Sequence, residues 1–294
     1  MTERLTKQRP PVTIHEIQII KQEVSLMGSA VVMTCAFNYR AEQMKPFLHS
    51  LRLHFNEKIV VFSDIAPEIL DPLVATYGIR VVRNQPQRFG PAIDRFQWAS
   101  EFLAAESDAT SIFFTDVRDV IFQQSPFSLK PSTALEVYLE PWRIMNCPMN
   151  SKWLTQIYGA EAIAPFINNE ICCVGTTRGT ANAMRSYFSL MAVEFDRMSQ
   201  SGLSPFWGWD QAVHNFLAYN GRFADCSFHK SGEGLVQTLF YEKRFCFDHL
   251  GRLLNKDGSV CPVVHQYDRT IGLFGGAYRR TILGPQAPTS SQPS

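Results

Sequence analysis

Four short apolar runs in the first 115 residues set the limits on what this chain can fold into. They read AVVMTCAF (30–37), KIVVFSD (58–64), IRVV (79–82) and SIFFT (111–115). Each is too short for an ordinary helix and predominantly apolar, the pattern of strands buried on both faces. Between them, apolar residues recur at helical spacing. Phe47, Leu48, Leu51 and Phe55 form one set, with Asn38 placed to cap that helix. Ile69, Leu70, Leu73, Val74 and Tyr77 form the next and stop at Gly78; Ile93, Phe96, Ala99 and Leu103 form the third. Such alternation predicts an α/β fold, a mostly parallel sheet with helices on both faces. Ligands of these sheets bind beyond the carboxyl ends of the strands. Asn38, Asp64, Arg83 and the stretch from Asp116 to Asp119 fall at those ends and are expected to converge.

The second half is less regular. ALEVYLE (134–140) and NEICCVGT (169–176) read as strands, and RGTANAMRSYFSLMAVEFDRMSQ as a long helix burying Met184, Tyr187, Phe188, Met191, Phe195 and Met198. GWDQAVHNFLAY (208–219) is a shorter helix, and CPVVHQYDR (261–269) a late strand ending in polar residues. Residues 141–166 and 220–260 carry no readable pattern. No linker divides the halves, so 29–280 reads as one composite domain. A polar arm (1–28) precedes it, and a Pro/Ser-rich tail (281–294), expected to be disordered, follows.

With 28 basic and 27 acidic residues, the charge balance offers no field for bulk nucleic-acid binding or a polybasic membrane anchor. The seven cysteines cannot all pair internally. Cys35, Cys172, Cys173 and Cys261 lie in apolar runs as core thiols do, which favours a reducing compartment. The first twenty residues have no apolar signal core, and no uninterrupted apolar stretch is long enough to span a bilayer. The expected location is cytoplasmic, with any membrane-bound substrate met from the periphery. Walker A, GxGxxG and GxSxG motifs are absent.

The charged segment FFTDVRDVIFQQSPF (113–127) places Asp116, Arg118 and Asp119 just past a buried strand. Two neighbouring carboxylates repel unless a cation lies between them. Either Arg118 neutralises them or they hold a divalent metal. His265 ends another apolar run; alone it reads more readily as a hydrogen-bonded core residue than as a ligand, but with two carboxylates it favours Mn²⁺ over Mg²⁺ or Ca²⁺. Arg269 matches phosphate geometry, or pairs with Asp268 at the surface. Arg95 could reach a diphosphate at the strand end, or be a solvated helix charge. In WGWDQAVHN, Trp207, Trp209, Asp210 and Gln211 suit a sugar, with Asp210 as a plain N-cap the alternative. Asp210 and His214 also have the spacing of a helical metal pair, without a third local ligand. Asn168, Asn169 and Glu170 have the chemistry of a turn before a strand.

Taken together and in order, these segments resemble the metal-dependent GT-A glycosyltransferases. FFTDVRDVIFQQSPF is similar to that family's strand, acidic motif and following segment, with acid-x-acid spacing stretched to Asp116-Val117-Arg118-Asp119. NNEICCVGTT resembles the strand after a sugar-contacting asparagine. GWDQAVHN resembles the DQ…N segment of retaining glycogenin-like and bacterial α-galactosyltransferase types, and VVHQYDR their late histidine. The resemblance implies a GT-A-like, Rossmann-type sheet, with a nucleotide-binding half (29–130) and an acceptor-side half (131–280). It implies Mn²⁺ (or Mg²⁺) on Asp116, Asp119 and His265. Donor contacts would come from Asn38, Asp64, Arg95, Asp116, Arg118, Asn169 and Arg269, and Asp210 and Gln211 would be catalytic. The donor would be a nucleotide diphosphate sugar, a UDP-sugar first, and the acceptor a glycan, a lipid-linked molecule or a protein. Two other classes compete: a non-catalytic sugar-binding relative, and a metal-dependent nucleotidyltransferase. The latter usually has a glycine-rich loop after its first strand, where TCAFNYRAEQ has no glycine.

Overall fold

The structure is a computed structural model that describes residues 29–85, 88–106, 108–274 and 276–283. The arm expected over 1–28 and most of the tail lie outside these residues. The first-half elements follow the apolar runs: β1 (Ser29–Ala36), α1 (Ala41–Arg52), β2 (Lys58–Ser63), α2 (Pro67–Tyr77), β3 (Arg80–Arg83), α3 (Pro91–Ala105) and β4 (Ala109–Asp116). Alternate residues of β1 face opposite layers. Val31 and Met33 join Phe96 of α3 in one core cluster, while Val32 joins Phe47 of α1 and Leu70 of α2 in the other. Helix α2 ends at Gly78, whose φ of 59° is the left-handed cap expected there. Helix α1 differs from expectation. Its N-cap is Arg40, whose N–H donates to the Gln43 side chain at 2.9 Å, and Asn38 lies in the turn before it at φ 56°.

After β4 the chain crosses to a second sheet, beginning with β5 (Val120–Phe122), and returns as β6 (Leu135–Arg143). Then come α4 (Pro148–Tyr158), α5 (Ala160–Ile163), β7 (Glu170–Thr180), α6 (Ala181–Gln200), α7 (Trp209–Tyr219) and β8 (Cys226–His229). The seven-stranded sheet has the order β3-β2-β1-β4-β7-β6-β8. All neighbours pair in parallel except β7, which is antiparallel to β4 and β6. It is the mostly parallel, Rossmann-like α/β sheet expected. Strand β7 runs backwards because the chain stays at the carboxyl edge after β6, folding α4 and α5 there before turning back.

The remaining elements are β9 (Val236–Thr238), β10 (Cys246–Phe247), β11 (Leu253–Leu254), β12 (Val263–His265) and α8 (Gly276–Leu283). Strand β12 lies between β5 and β9 and pairs His265 opposite Val120. Helix α8 carries the fold to Leu283, past the boundary expected for the tail. Its Ile282 is buried, and the Thr281 carbonyl accepts from His49 Nε2 at 3.0 Å.

Candidate functional site

A cleft of about 770 Å³ opens above the carboxyl end of β4, within the size range of small-molecule sites. Its floor is built where two sheets meet. Asp116 is the last residue of β4, Asp119 precedes β5, and His265 ends β12, which pairs with β5. One donor atom from each of the three lies within 4.8 Å of the others.

The carboxylates are oriented from behind. Asp116 Oδ1 accepts from Arg95 Nη1 at 2.6 Å, and its Oδ2 is 3.9 Å from His265 Nε2. Asp119 Oδ2 accepts from Arg269 Nη1 at 3.0 Å, and its Oδ1 is 3.7 Å from the same Nε2. Each acid is thus tied by one oxygen and offers the other to a common point. The His265 Nδ1 faces Cys173 Sγ at 3.6 Å. Held outer atoms and converging inner atoms are how proteins orient metal ligands.

The space at that point is kept open by Gly175 in β7. A Cβ there would lie 2.6 Å from His265 Cε1 and 2.7 Å from Asp116 Oδ2. Donors around a small divalent ion at ~2.1 Å are roughly 3–4 Å apart, close to the spacing found. Two carboxylates and one imidazole suit Mn²⁺, so these residues fit a hard divalent cation.

Arg95 is buried, with Nη1 on Asp116 and Nη2 on Asp210 Oδ2 at 3.0 Å. Burial alone would lower its pKa, but the two carboxylates outweigh it and hold the guanidinium charged. It lines the cleft and positions both acids through Nη1 and Nη2, while Nε has no partner among the described residues. Arg118 and Arg269 line the cleft. Arg118 is half-exposed and meets Asp268 at 3.5 Å.

Helix α7 differs from expectation in detail. Its N-cap is Gly208, at φ 97°, which leaves Asp210 in the first turn. Asp210 Oδ1 accepts from the Gln211 N–H at 2.8 Å, and burial pushes its carboxyl pKa upward against the pull of Arg95. The Gln211 amide is committed to β7: Oε1 accepts from Val174 N at 3.0 Å and Nε2 donates to the Cys172 carbonyl at 2.6 Å. Asn215 Oδ1 accepts from Cys172 N at 2.8 Å. The β4 ladder with β7 stops at Thr115 opposite Thr176, so these backbone groups have no β4 partner. The DQ…N spacing supplies the missing partners. It stitches α7 to the bulge of β7, where pairing with β6 jumps from Val137–Thr177 to Tyr138–Cys173. Gln211 thus pins α7 to β7 through one bond on each amide atom while also lining the cleft. His214 is not a ligand either. It is buried, with Nδ1 on Tyr187 Oη at 2.9 Å and Nε2 on Cys172 Sγ at 3.0 Å.

Three strand-end residues fall outside the cleft. Asn38 and Asp64 meet each other, the Asn38 N–H donating to Asp64 Oδ1 at 3.4 Å, but neither lines it. The left-handed turn at Asn38 instead directs its neighbours Phe37 and Tyr39 to the wall. Arg83 donates to the Ile65 carbonyl. Asn169 is exposed in the turn before β7, where its N–H donates to the Phe166 carbonyl at 2.9 Å. The cleft is centred on β4 and β7, too far along the sheet for Asn38, Asp64 and Arg83.

Other lining residues had no clear sequence signal. Asn150 and Trp153 come from α4, and Glu140 from β6. Burial raises the Glu140 pKa. Its one legible trace was a second glutamate two turns of pleat from Glu136 in an apolar strand. Cys35 also lines the cleft, and burial pushes its thiol up to about 12, which leaves it no thiolate for nucleophilic work at neutral pH. Comparison with protein-family models and with curated proteins returns no match. Among the described residues, no helix is long and apolar enough to cross a membrane.

Proposed function

We propose that the protein is a divalent-metal-dependent glycosyltransferase of the GT-A type, using a nucleotide diphosphate sugar, with UDP-sugars first. The observation that carries this reading is the convergence of Asp116 Oδ2, Asp119 Oδ1 and His265 Nε2 at the carboxyl edge of a Rossmann-like sheet, beneath a cleft large enough for a nucleotide. Asp116, Asp119 and His265 would hold Mn²⁺ or Mg²⁺. Bound there, the cation supplies Lewis-acid neutralisation of the departing diphosphate. Arg118 and Arg269 line the same cleft and add positive charge for phosphate oxygens. Tyr39 and Phe37 take the place first expected of Asn38 and Asp64 on the nucleotide wall.

Asp210 suits holding sugar hydroxyls more than taking a proton, because each of its oxygens already has a donor. This supports a retaining course, in which the departing diphosphate oxygen accepts the acceptor's proton. NMR of the product's anomeric proton reads that course directly.

The central test is a thermal-shift screen of nucleoside diphosphates with and without Mn²⁺. A ligand at a hundred times its Kd adds about 2.7 kcal/mol to stability. UDP should stabilise the chain with Mn²⁺ only, and Asp119→Asn should abolish the effect. Stabilisation unchanged by EDTA, or none by any nucleoside diphosphate, would reject the reading. Release of UDP from a UDP-sugar, in place of pyrophosphate from a nucleoside triphosphate, separates it from nucleotidyl transfer.

A further inference from the structure

His265 can offer Nε2 to a cation only if its ring proton sits on Nδ1, since a neutral imidazole carries one proton and a ligating nitrogen must be bare. Metal-binding histidines usually fix this tautomer by donating the other N–H to a carboxylate, a carbonyl or a water. Here Nδ1 faces a thiol instead, Cys173 Sγ at 3.6 Å. A thiol can donate or accept, so by itself it leaves the tautomer undecided. The other neighbours of the sulfur decide it.

Cys173 lies in β7 opposite Tyr138 of β6. Residues two apart on a strand share a face, so Glu140 is the diagonal neighbour of Cys173 on that face. Both side chains are buried and both residues line the cleft. The Glu140 carboxyl hydrogen-bonds the thiol, and the Gly175 N–H donates to the same sulfur. A buried thiol keeps its proton at neutral pH. The Gly175 N–H can only donate, so it takes one lone pair of the sulfur. The carboxyl has an acceptor oxygen in either charge state and takes the S–H. The sulfur is left with a lone pair for Nδ1 and no proton to give it.

We propose that Glu140 is a positioning residue of the site. It accepts the hydrogen bond of Cys173 S–H, the sulfur accepts that of His265 Nδ1–H, and Nε2 is left bare toward Asp116 and Asp119. Glu140 stands outside the group whose donor atoms converge, so it acts through the thiol. Its effect on metal affinity rests on the metal-dependent reading of the cleft, whereas the tautomer does not.

The test is proton–nitrogen NMR on the full chain with isotope-labelled histidine, in EDTA, with His265→Gln identifying the signals. The pH is raised until the His265 ring carries one proton. That proton should sit on Nδ1. Glu140→Leu and Cys173→Ala should each move it wholly or partly to Nε2. Glu140→Gln keeps an acceptor oxygen in place and should hold it on Nδ1. The two disrupting variants should also weaken Mn²⁺ binding tenfold or more, with Glu140→Gln recovering most of it. Melting curves check that the variants fold, and the wild-type spectrum is decisive without them. A wild-type ring with its proton on Nε2 overturns the proposal, as does wild-type Mn²⁺ affinity in both disrupting variants. Loss of Mn²⁺ in Glu140→Leu with Nδ1–H unchanged would make Glu140 a direct ligand and overturn it too. A wild-type chain that binds no Mn²⁺ would overturn the metal-dependent reading and leave the tautomer assignment standing.

Discussion

Arg95 Nη1 donates to Asp116 Oδ1 at 2.6 Å, and that bond decides which oxygen of Asp116 faces His265. The same guanidinium holds Asp210 on the facing helix, so one buried cation joins α3, β4 and α7. Replacing it with leucine should strand two carboxylates. Breaking a buried ion pair costs about 3–5 kcal/mol, and the low end applies because Asp116 is open to solvent on one side. We expect Arg95→Leu to lower the melting temperature and weaken Mn²⁺ binding at least tenfold, with Arg95→Lys recovering part of both. Unchanged Mn²⁺ affinity, measured by calorimetry on folded protein, would show that Asp116 needs no such hold.

Gly175 offers a sharper test of the metal centre, since it contributes no donor. The Cβ of an alanine there would meet both Asp116 and His265 at under 3 Å, forcing those side chains apart. Gly175→Ala should therefore cut Mn²⁺ affinity tenfold or more. The main effect falls on affinity, because the displaced side chains border the open cleft. Wild-type affinity in this variant would mean that the ligands converge somewhere else.

Gln211 separates a structural from a catalytic reading of the DQ segment. Alanine there removes the partner of the Val174 N–H and one of two donors to the Cys172 carbonyl. Loss of about 1–3 kcal/mol is expected from stranding such groups. Denaturant titration should show this loss in apo protein. A variant of wild-type stability whose only defect is in turnover would restore Gln211 to the reacting face.

What the sequence revealed about the site divides along physical lines. Asp119 and His265 were legible because a charged or titratable residue closing a buried strand has few ordinary uses. Asn38, Asp64 and Arg83 satisfied the same positional rule, yet strand ends span the whole width of a sheet, and only those near β4 and β7 reach the cleft. The commitment of Gln211 to the backbone was hidden because it depends on a bulge in β7, which shows only when register is known. Asn150 and Trp153 lie in a segment without readable amphipathic pattern, and α4 stays at the carboxyl edge because β7 runs antiparallel. That reversal is tertiary and leaves no local mark. The parallel core was readable because β1, β2 and β4 each carry an uninterrupted buried apolar stretch.

His214 predicts how stability responds to mild acid. It is buried between Tyr187 and Cys172, and burial, helped by the charge of Arg95, drops its pKa to about 3. In the unfolded chain a histidine titrates near 6.5. Below that pH the unfolded state takes up a proton that the folded state refuses until about pH 3, so stability must fall as pH falls through this window. One proton corresponds to about 1.4 kcal/mol per pH unit, or roughly 2 kcal/mol lost between pH 6.5 and 5. His214→Leu removes the titration while keeping an apolar side chain in the core. The variant should start less stable at pH 7, since Tyr187 Oη loses its partner, but its stability should fall more slowly with acid. The difference between the two proteins should narrow by about 2 kcal/mol from pH 7 to pH 5 in urea titrations. Parallel pH profiles would mean that His214 is protonated in the fold, against its placement between a phenol and a thiol.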